Sequence, residues 1–438
     1  MRPALIVALF ATLGPGALRA DGLDLAAARQ EAAQRSPVLK RLDALALVSH
    51  AARRETLAAQ LPRLGLASQH LFDARYQMLK VEFGGQALDF PGAFPQDSLD
   101  LDLRWTLFDG FRTLEGWRAG GLEIDAADAD RRRAAFQLDQ EVAICFAKAL
   151  AAAQLTEVAQ QDVATLEEHL QLAQDSEDSG SATHVDVLRV QAQLEEARAD
   201  ALQRDEQAGL ARLDLAQAMG LSQDARALDG SLPAPDADLP VDAVQVDWQR
   251  RDDLAAQDLR SRAAQDRVGV ADAGWWPQLY VFGTHEWYHY GDFNPLILPT
   301  DGYNHDGILD MDTVGAGLSW DLYSGGADAA RRDQAVDNAE AAAQALQSAR
   351  LAATRDLENW RRRYHYSLKL YQARLRSVDE YQESVRLAQL GFKAGSQTST
   401  EVLDAETDLF RAKAGLVQAQ ADAAEARYQL ELAKGSPL

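Results

Sequence analysis

The chain carries a single cysteine, Cys145, in 438 residues. One thiol cannot make an intramolecular disulfide framework or a Cys-rich metal site. Basic residues are also scarce. Lys and Arg number 44 against 67 Asp and Glu, a formal charge of −23. That balance excludes a nucleic-acid binder, which needs a basic surface to neutralise phosphates. Beyond the N-terminus there is no long apolar run, and mean hydropathy is −0.30. A polytopic helical membrane protein is therefore excluded. Eight Trp, eleven Tyr and thirteen Phe argue against disorder. Proline is absent from Gln96 to Leu232 and again from Thr300 to Ser436, two stretches of 137 residues each.

These two stretches are copies. With an offset of 215, Pro62 falls on Pro277 and Leu64 on Leu279. Leu103, Trp105, Leu107 and Gly110 fall on Leu318, Trp320, Leu322 and Gly325. Gly180, Thr183, Val187 and Leu188 fall on Gly395, Thr398, Val402 and Leu403, and Gly220 falls on Gly435. One offset without a net gap is a tandem duplication, and its period is far too long for a short-repeat solenoid. The organisation read from it is a first repeat over 21–220, a Pro-containing join over 221–248 and a second repeat over 249–438. Each repeat opens with a helical stretch. Two strands follow (about 63–75 and 98–108, then about 277–290 and 311–322), and then a long helical hairpin (112–219, then 326–434).

Ahead of the repeats, Arg2 precedes Ala4–Leu18, fifteen uncharged residues ending in Gly-Pro-Gly-Ala-Leu. Residues 1–20 read as a signal peptide cleaved after Ala20. Fifteen residues fall short of the ~20 that a spanning helix needs. An exported chain of this composition is expected to cross a membrane, if it does, with strands.

The strands carry that expectation. Leu99, Leu101, Leu103, Trp105 and Leu107 alternate with Asp100, Asp102, Arg104 and Thr106, a period of two. The second copy sets Val314, Ala316, Leu318, Trp320 and Leu322 against Thr313, Gly315, Gly317, Ser319 and Asp321. Nine residues at ~3.3 Å span about 30 Å, enough for a tilted strand in an outer membrane. Trp105, Trp320 and Tyr323 stand where a lipid-facing aromatic girdle belongs. Four strands cannot enclose a lumen, for which about eight are needed, so several chains must contribute.

The helices are too long for a compact domain. From Glu115 to Asp178 there is no proline, which predicts a helix of roughly 95 Å. In the second copy Leu357, Trp360, Tyr364, Leu368, Tyr371, Leu375, Val378, Tyr381, Val385, Ala388 and Phe392 recur in steps of three and four. That is the seam period of a coiled coil.

Duplicated strand–strand–helix–turn–helix units behind a signal peptide, with a Pro-rich join, resemble the TolC-like outer-membrane efflux protein family. The tip segments Gly180–Ala199 (GSATHVDVLRVQAQLEEARA) and Gly395–Ala414 (GSQTSTEVLDAETDLFRAKA) are the most specific local matches. The strand ends LFDGF and LYSGG and the strand starts LPRL and WPQL support them. The resemblance implies an α+β membrane protein. It implies a homotrimer with a twelve-stranded outer-membrane β-barrel, four strands per chain, continued by a long periplasmic α-helical barrel. It implies residence in the outer membrane of a Gram-negative bacterium, with most of the chain in the periplasm. It also implies a periplasmic adaptor (membrane fusion) protein and an inner-membrane transporter as partners.

The same resemblance assigns residues. Glu401 and Asp404 fall on two acidic constriction positions. Residues i and i+3 share a helix face, so a trimer would stack two rings of three carboxylates that favour cations. Asp186 matches an acidic tip residue that the family holds with a Tyr and an Arg. Those positions are Phe392 and Gln397 here. Closure is therefore expected to rest on another contact, such as a Gln397–Asp186 hydrogen bond, with a looser gate. Gly180, Ser181, Thr183, Gly395, Ser396 and Thr398 are the expected adaptor-docking tips.

His285-Glu286-Trp287-Tyr288-His289 fits the HExxH zinc pattern. That motif chelates only on a helix, where i and i+4 lie one turn apart. Here it sits in a strand-like run, which would hold the two imidazoles about 13 Å apart. No metal, cofactor or enzymatic activity is expected. The preferred function is a passive exit duct of a tripartite efflux or type I secretion system. The alternative is a non-conducting periplasm-spanning coiled-coil scaffold or adhesin.

Overall fold

The structure, a computed structural model, describes residues 22–72, 78–91, 97–180, 183–237, 239–248, 250–289, 309–394 and 396–438. The expected signal peptide, Ser181, Gly395 and Tyr290 lie outside them. The chain divides into two units. One comprises Ala44–Ala129 with Leu254–Ala349. The other comprises Asp130–Asp253 and Arg350–Leu438 with the N-terminal residues up to Asp43.

The first of these units is built on an antiparallel sheet. Its strands are β1 (Arg63–His70), β4 (Asp97–Phe108), β5 (Gln278–His289) and β6 (Leu309–Ser319), in the order β1-β4-β5-β6. Each repeat supplies one adjacent pair, and β4–β5 joins the repeats. The register sets Leu103 opposite Leu64 on one side and Gly283 on the other. One face therefore collects Leu64, Leu66, Leu99, Leu103, Trp105, Val314 and Leu318, all exposed. The other face is polar and aromatic. The Arg104 guanidinium lies 4.0 Å from the Tyr280 ring centroid, and Thr284 Oγ1 donates to Asp102 Oδ1 at 3.1 Å. Gly315 and Gly317 are needed on this face, because a Cβ at either would collide with the ring of Phe282 or Tyr280.

Strand ends differ from the sequence reading. The second strand of the second repeat stops at Ser319, which pairs with Gln278, the first residue of β5. Trp320–Leu322 lie beyond the ladder, where the neighbouring chain is Pro277, which has no N–H to give. Between β1 and β4 stands a further hairpin, β2 (Met78–Phe83) and β3 (Gln86–Pro91). Its turn residues Gly84 (φ 64°) and Gly85 (φ 82°) are both left-handed, the requirement of a two-residue type I′ turn.

The other unit is helical. It contains α1 (Leu25–Arg35), most of α3 (Arg112–Asp178), α4 (His184–Ala218), most of α6 (Ala327–Lys393) and α7 (Ser399–Lys434); the first turns of α3 and α6 belong to the sheet-bearing unit, as do most of α2 (Pro37–Ala58) and α5 (Asp252–Asp272). The core joins Leu23, Ala28 and Ala32 to Val142, Phe146 and Leu150 of α3, Leu215 of α4, and Ala421 and Ala424 of α7. Alanine at so many of these positions brings helix axes close. By length and composition α3 contains a window apolar enough to cross a membrane, but 61% of it is buried inside the protein. It is core. The Pro-containing join is fastened to the helices: Leu232 is part of the core. Tyr364, fully buried, donates its hydroxyl to the Asp236 carbonyl at 3.0 Å.

Candidate functional site

The sequence-assigned gate and docking residues cluster where each long helix reverses. At the α3–α4 turn Gly180 takes a φ of 77°, which a Cβ would strain. A helix start leaves backbone N–H groups without partners, and Thr183 supplies one acceptor as the N-cap of α4. Its hydroxyl accepts from Asp186 N at 3.4 Å. Asp186 reciprocates through Oδ2, accepting from Thr183 N at 3.0 Å and Thr183 Oγ1 at 2.7 Å. These bonds hold the Asp186 carboxyl below its ordinary range. The α6–α7 turn repeats the box. Glu401 Oε2 accepts from Thr398 N at 2.7 Å and from Thr398 Oγ1 at 3.2 Å, while Thr398 Oγ1 accepts from Glu401 N at 3.3 Å.

This capping shows what engages Asp186 within one chain. Asp186 is engaged by its own helix start, and the Gln397 side chain lies against Gly391. Among the described residues no Gln397–Asp186 bond is formed. A carboxylate at the third position of a capped helix finds two donors locally, so it needs no donor from the other hairpin. Near the tips, one contact that does cross the hairpins is Arg189 Nη1 donating to Thr400 Oγ1 at 3.3 Å. The sequence reading missed it. The available signal was the repeat itself, since Arg189 is the counterpart of Asp404, a charge reversal between copies.

Asp404 is exposed, on the same face of α7 as Glu401, while Val402, Leu403, Glu406 and Leu409 point inward. Both capping bonds of Glu401 use Oε2. Phe392, half exposed, lines a cavity of about 1060 Å³ together with Lys393, Asp186, Arg189, Thr398 and Thr400. Ser396 is tied back to the α6 end, its hydroxyl donating to the Gly391 carbonyl at 3.1 Å.

At the sheet, Trp105 and Trp320 are exposed and tethered in the same way. Trp105 Nε1 donates to the Gln60 carbonyl at 2.9 Å and Trp320 Nε1 to the Trp275 carbonyl at 3.2 Å. Tyr323, beyond the end of β6, is 86% exposed. The HExxH residues lie in β5. His285 Nδ1 is 2.6 Å from Asp312 Oδ1, and His289 Nδ1 is 3.1 Å from Asp97 Oδ2, so the two imidazoles serve different carboxylates. Among the described residues no group of three or more His, Cys, Asp or Glu could hold a metal ion. Burial pushes the Cys145 thiol up to about 11, which keeps it protonated and unreactive.

A family model described as outer membrane efflux protein matches residues 28–221 and 244–436. The chain belongs to the outer membrane efflux protein family. The two matched blocks are the two repeats. Outer membrane protein TolC of Vibrio cholerae serotype O1 is 26% identical over 194 residues, 44% of this chain. That match spans 43% of the relative, less than half its length. Two solved structures share the fold over nearly all of both chains. The outer membrane protein VceC of Vibrio cholerae is 20% identical with a TM-score of 0.74, covering 94% of this chain and 96% of its own. CusC is 16% identical with a TM-score of 0.75, covering 100% and 98%. Membership in this family makes the chain an outer membrane efflux protein.

Proposed function

We propose that three copies of this chain close a twelve-stranded barrel in the outer membrane and form a passive exit duct. An inner-membrane transporter would expel solutes or polypeptides into it through a periplasmic adaptor. The observation that carries this reading is the four-stranded sheet with one leucine- and tryptophan-rich exposed face and two edge strands, β1 and β6. An exposed apolar face of this kind marks a lipid or protein partner, and open edges cannot stand in lipid. Edge-to-edge closure by further copies satisfies both demands. Trp105, Trp320 and Tyr323 would then form the girdle, and the bulk of the helices would lie in the periplasm.

At the tips, Asp404 and Glu401 supply the constriction. Asp404 carries most of the cation preference, because Glu401 shares its carboxylate with the helix cap. Gly180, Thr183, Ser396 and Thr398, with Ser181 and Gly395, form the adaptor-docking edge. The experiment is single-channel conductance of purified protein in a planar bilayer, with a multivalent cation added on the periplasmic side. A small cation-selective conductance that the cation blocks, and that Asp404→Ala frees from block, is the expected result. Well-inserted protein that never conducts would sink the duct and favour the scaffold.

A further inference from the structure

We infer that Glu406 is a positioning residue of the gate, held by His169 and Gln389 in a buried polar latch that fixes α7 against α3 and α6; this rests on the duct reading above. Glu406 lies only two residues from Asp404, but on the opposite side of the helix. Its place is in the inward stripe that runs Val402, Leu403, Glu406, Leu409. Leu403 packs with Leu166, Val190 and Leu194, and Leu409 packs with Val378 and Ala412. A carboxylate between these two apolar clusters breaks the pattern that a helix seam calls for. It is 7% exposed.

Both its oxygens are engaged. Glu406 Oε2 is 2.6 Å from His169 Nε2 of α3, and Glu406 Oε1 accepts from Gln389 Nε2 of α6 at 2.9 Å. Burial pushes the carboxyl up, and the His169 and Gln389 bonds more than offset this, leaving it below its ordinary range. A buried carboxylate tolerates its site only while such partners stay in place. The position of α7 is thereby locked by one group facing in, while the gate carboxylate of the same helix faces out.

The duplication shows that this is an addition to the fold. Shifted by 215, His169 falls on Ser384 and Glu406 on Gln191, while Gln389 falls on Gln174. The capping boxes survive in both copies, but the imidazole and carboxylate of the latch occur only where α3 meets α7. Packing alone does not require them, since the other copy has no charge at those positions. A one-sided, breakable contact between the two hairpins suits the helix that must move if the pore is to open.

The test combines two readouts on full-length protein. Backbone amide exchange is measured over 399–405, and conductance is measured in a planar bilayer. The variants are Glu406→Ala, His169→Ala, the double substitution, and the swap His169→Glu with Glu406→His. Glu425→Ala, which breaks the Lys148 ion pair elsewhere on the helices, is the control. Each single substitution is expected to speed exchange by about tenfold or more, the change given by about 1.4 kcal/mol of opening free energy, and to raise conductance several-fold. The double variant should exceed neither single one, and the swap should restore both readouts, which loss of packing alone would not allow. Single variants that exchange like the wild type, or a swap that restores neither readout, overturn the latch. Protein that never conducts, Asp404→Ala included, defeats the duct reading instead, and exchange then decides the latch by itself. A channel that responds to Asp404→Ala but not to Glu406→Ala or His169→Ala keeps the duct and removes the latch.

Discussion

In their paired strands and long helical hairpins the two repeats share a backbone plan with different chemistry, and their differences are more informative than their likeness. Where the second strand of each repeat turns into its long helix, Gly110 (φ 71°) and Gly325 (φ 68°) take the same left-handed conformation, and so do the residues that follow, Phe111 (φ 70°) and Gly326 (φ 89°). The helix caps there are also equivalent but reversed. Asp109 Oδ2 accepts from Thr113 N at 3.0 Å in the first copy, and Ser324 Oγ accepts from Asp328 N at 3.2 Å in the second. The capping duty stayed while the residue types changed. Surroundings diverged further. A Cβ on Gly110 would sit 2.7 Å from the Ala273 carbonyl oxygen and 2.8 Å from Trp276 Cβ, whereas one on Gly325 would meet nothing within 4 Å.

This pair gives the largest expected effect. Gly325→Ala bears only the backbone strain of the left-handed region, about 1 kcal/mol. Gly110→Ala adds a collision with main chain that cannot turn aside, and should cost about 3 kcal/mol or more. Heat-unfolding midpoints of the two variants measure the difference. Equal midpoints would mean that the first copy is not packed as described.

How much of this was legible beforehand follows from the range of each signal. Strand alternation, the duplication and the proline-free helices are local or periodic, and residues 97–108 and 112–178 show them directly. The β2–β3 hairpin was also announced, by Gly84-Gly85 between two short runs, but it lies within what reads as a long loop. The capping boxes were visible as Thr183…Asp186 and Thr398…Glu401, a spacing with a known mechanism. They give Asp186 a donor within its own helix start, nearer in sequence than any on the other hairpin. The Glu406 contact with His169 joins residues 237 positions apart. No periodicity announces such a pair; only a carboxylate standing in an apolar stripe hints at it.

Asp162 sharpens the comparison next, since its counterpart is the neutral Ser377. Burial, with Asp200 beside it, pushes the Asp162 carboxyl up from 3.8 to about 6. A carboxyl raised on folding binds its proton more tightly in the folded state. The ionised form therefore costs stability above pH 6, and that cost lifts as the pH falls through this value. Asp162→Asn should stabilise the protein by about 1–2 kcal/mol at pH 8, with the gain shrinking between about pH 6 and pH 4. Unfolding of the variant and the wild type across that range checks it. A gain that does not change with pH would show that Asp162 is solvated.

The capping boxes should behave as equals. Thr183→Ala and Thr398→Ala each remove one acceptor from a helix start and should cost about 1 kcal/mol. The readout is local, as faster amide exchange over the first turns of α4 and α7. A much larger effect at Thr398 would show that the α7 cap also bears on the gate through Glu401.

The smallest effect separates contacts within one chain from contacts between copies. Trp105 and Trp320 each donate an indole N–H to a carbonyl two residues ahead of a proline, Gln60 before Pro62 and Trp275 before Pro277. Each bond ties the end of a repeat's second strand to the start of its first. Phenylalanine at either position keeps most of the apolar area and loses the donor, at a cost of about 0.5–1.5 kcal/mol. Within one chain the two substitutions are equivalent. In the proposed trimer they are not, because β4, which carries Trp105, is an inner strand while Trp320 directly follows the edge strand β6. Trp320→Phe should then weaken the assembled trimer, read as dissociation in detergent, while Trp105→Phe lowers only the unfolding midpoint. Identical behaviour of the two would place the trimer contact away from Trp320, and the search would move to the ladder of β1 and β6 themselves.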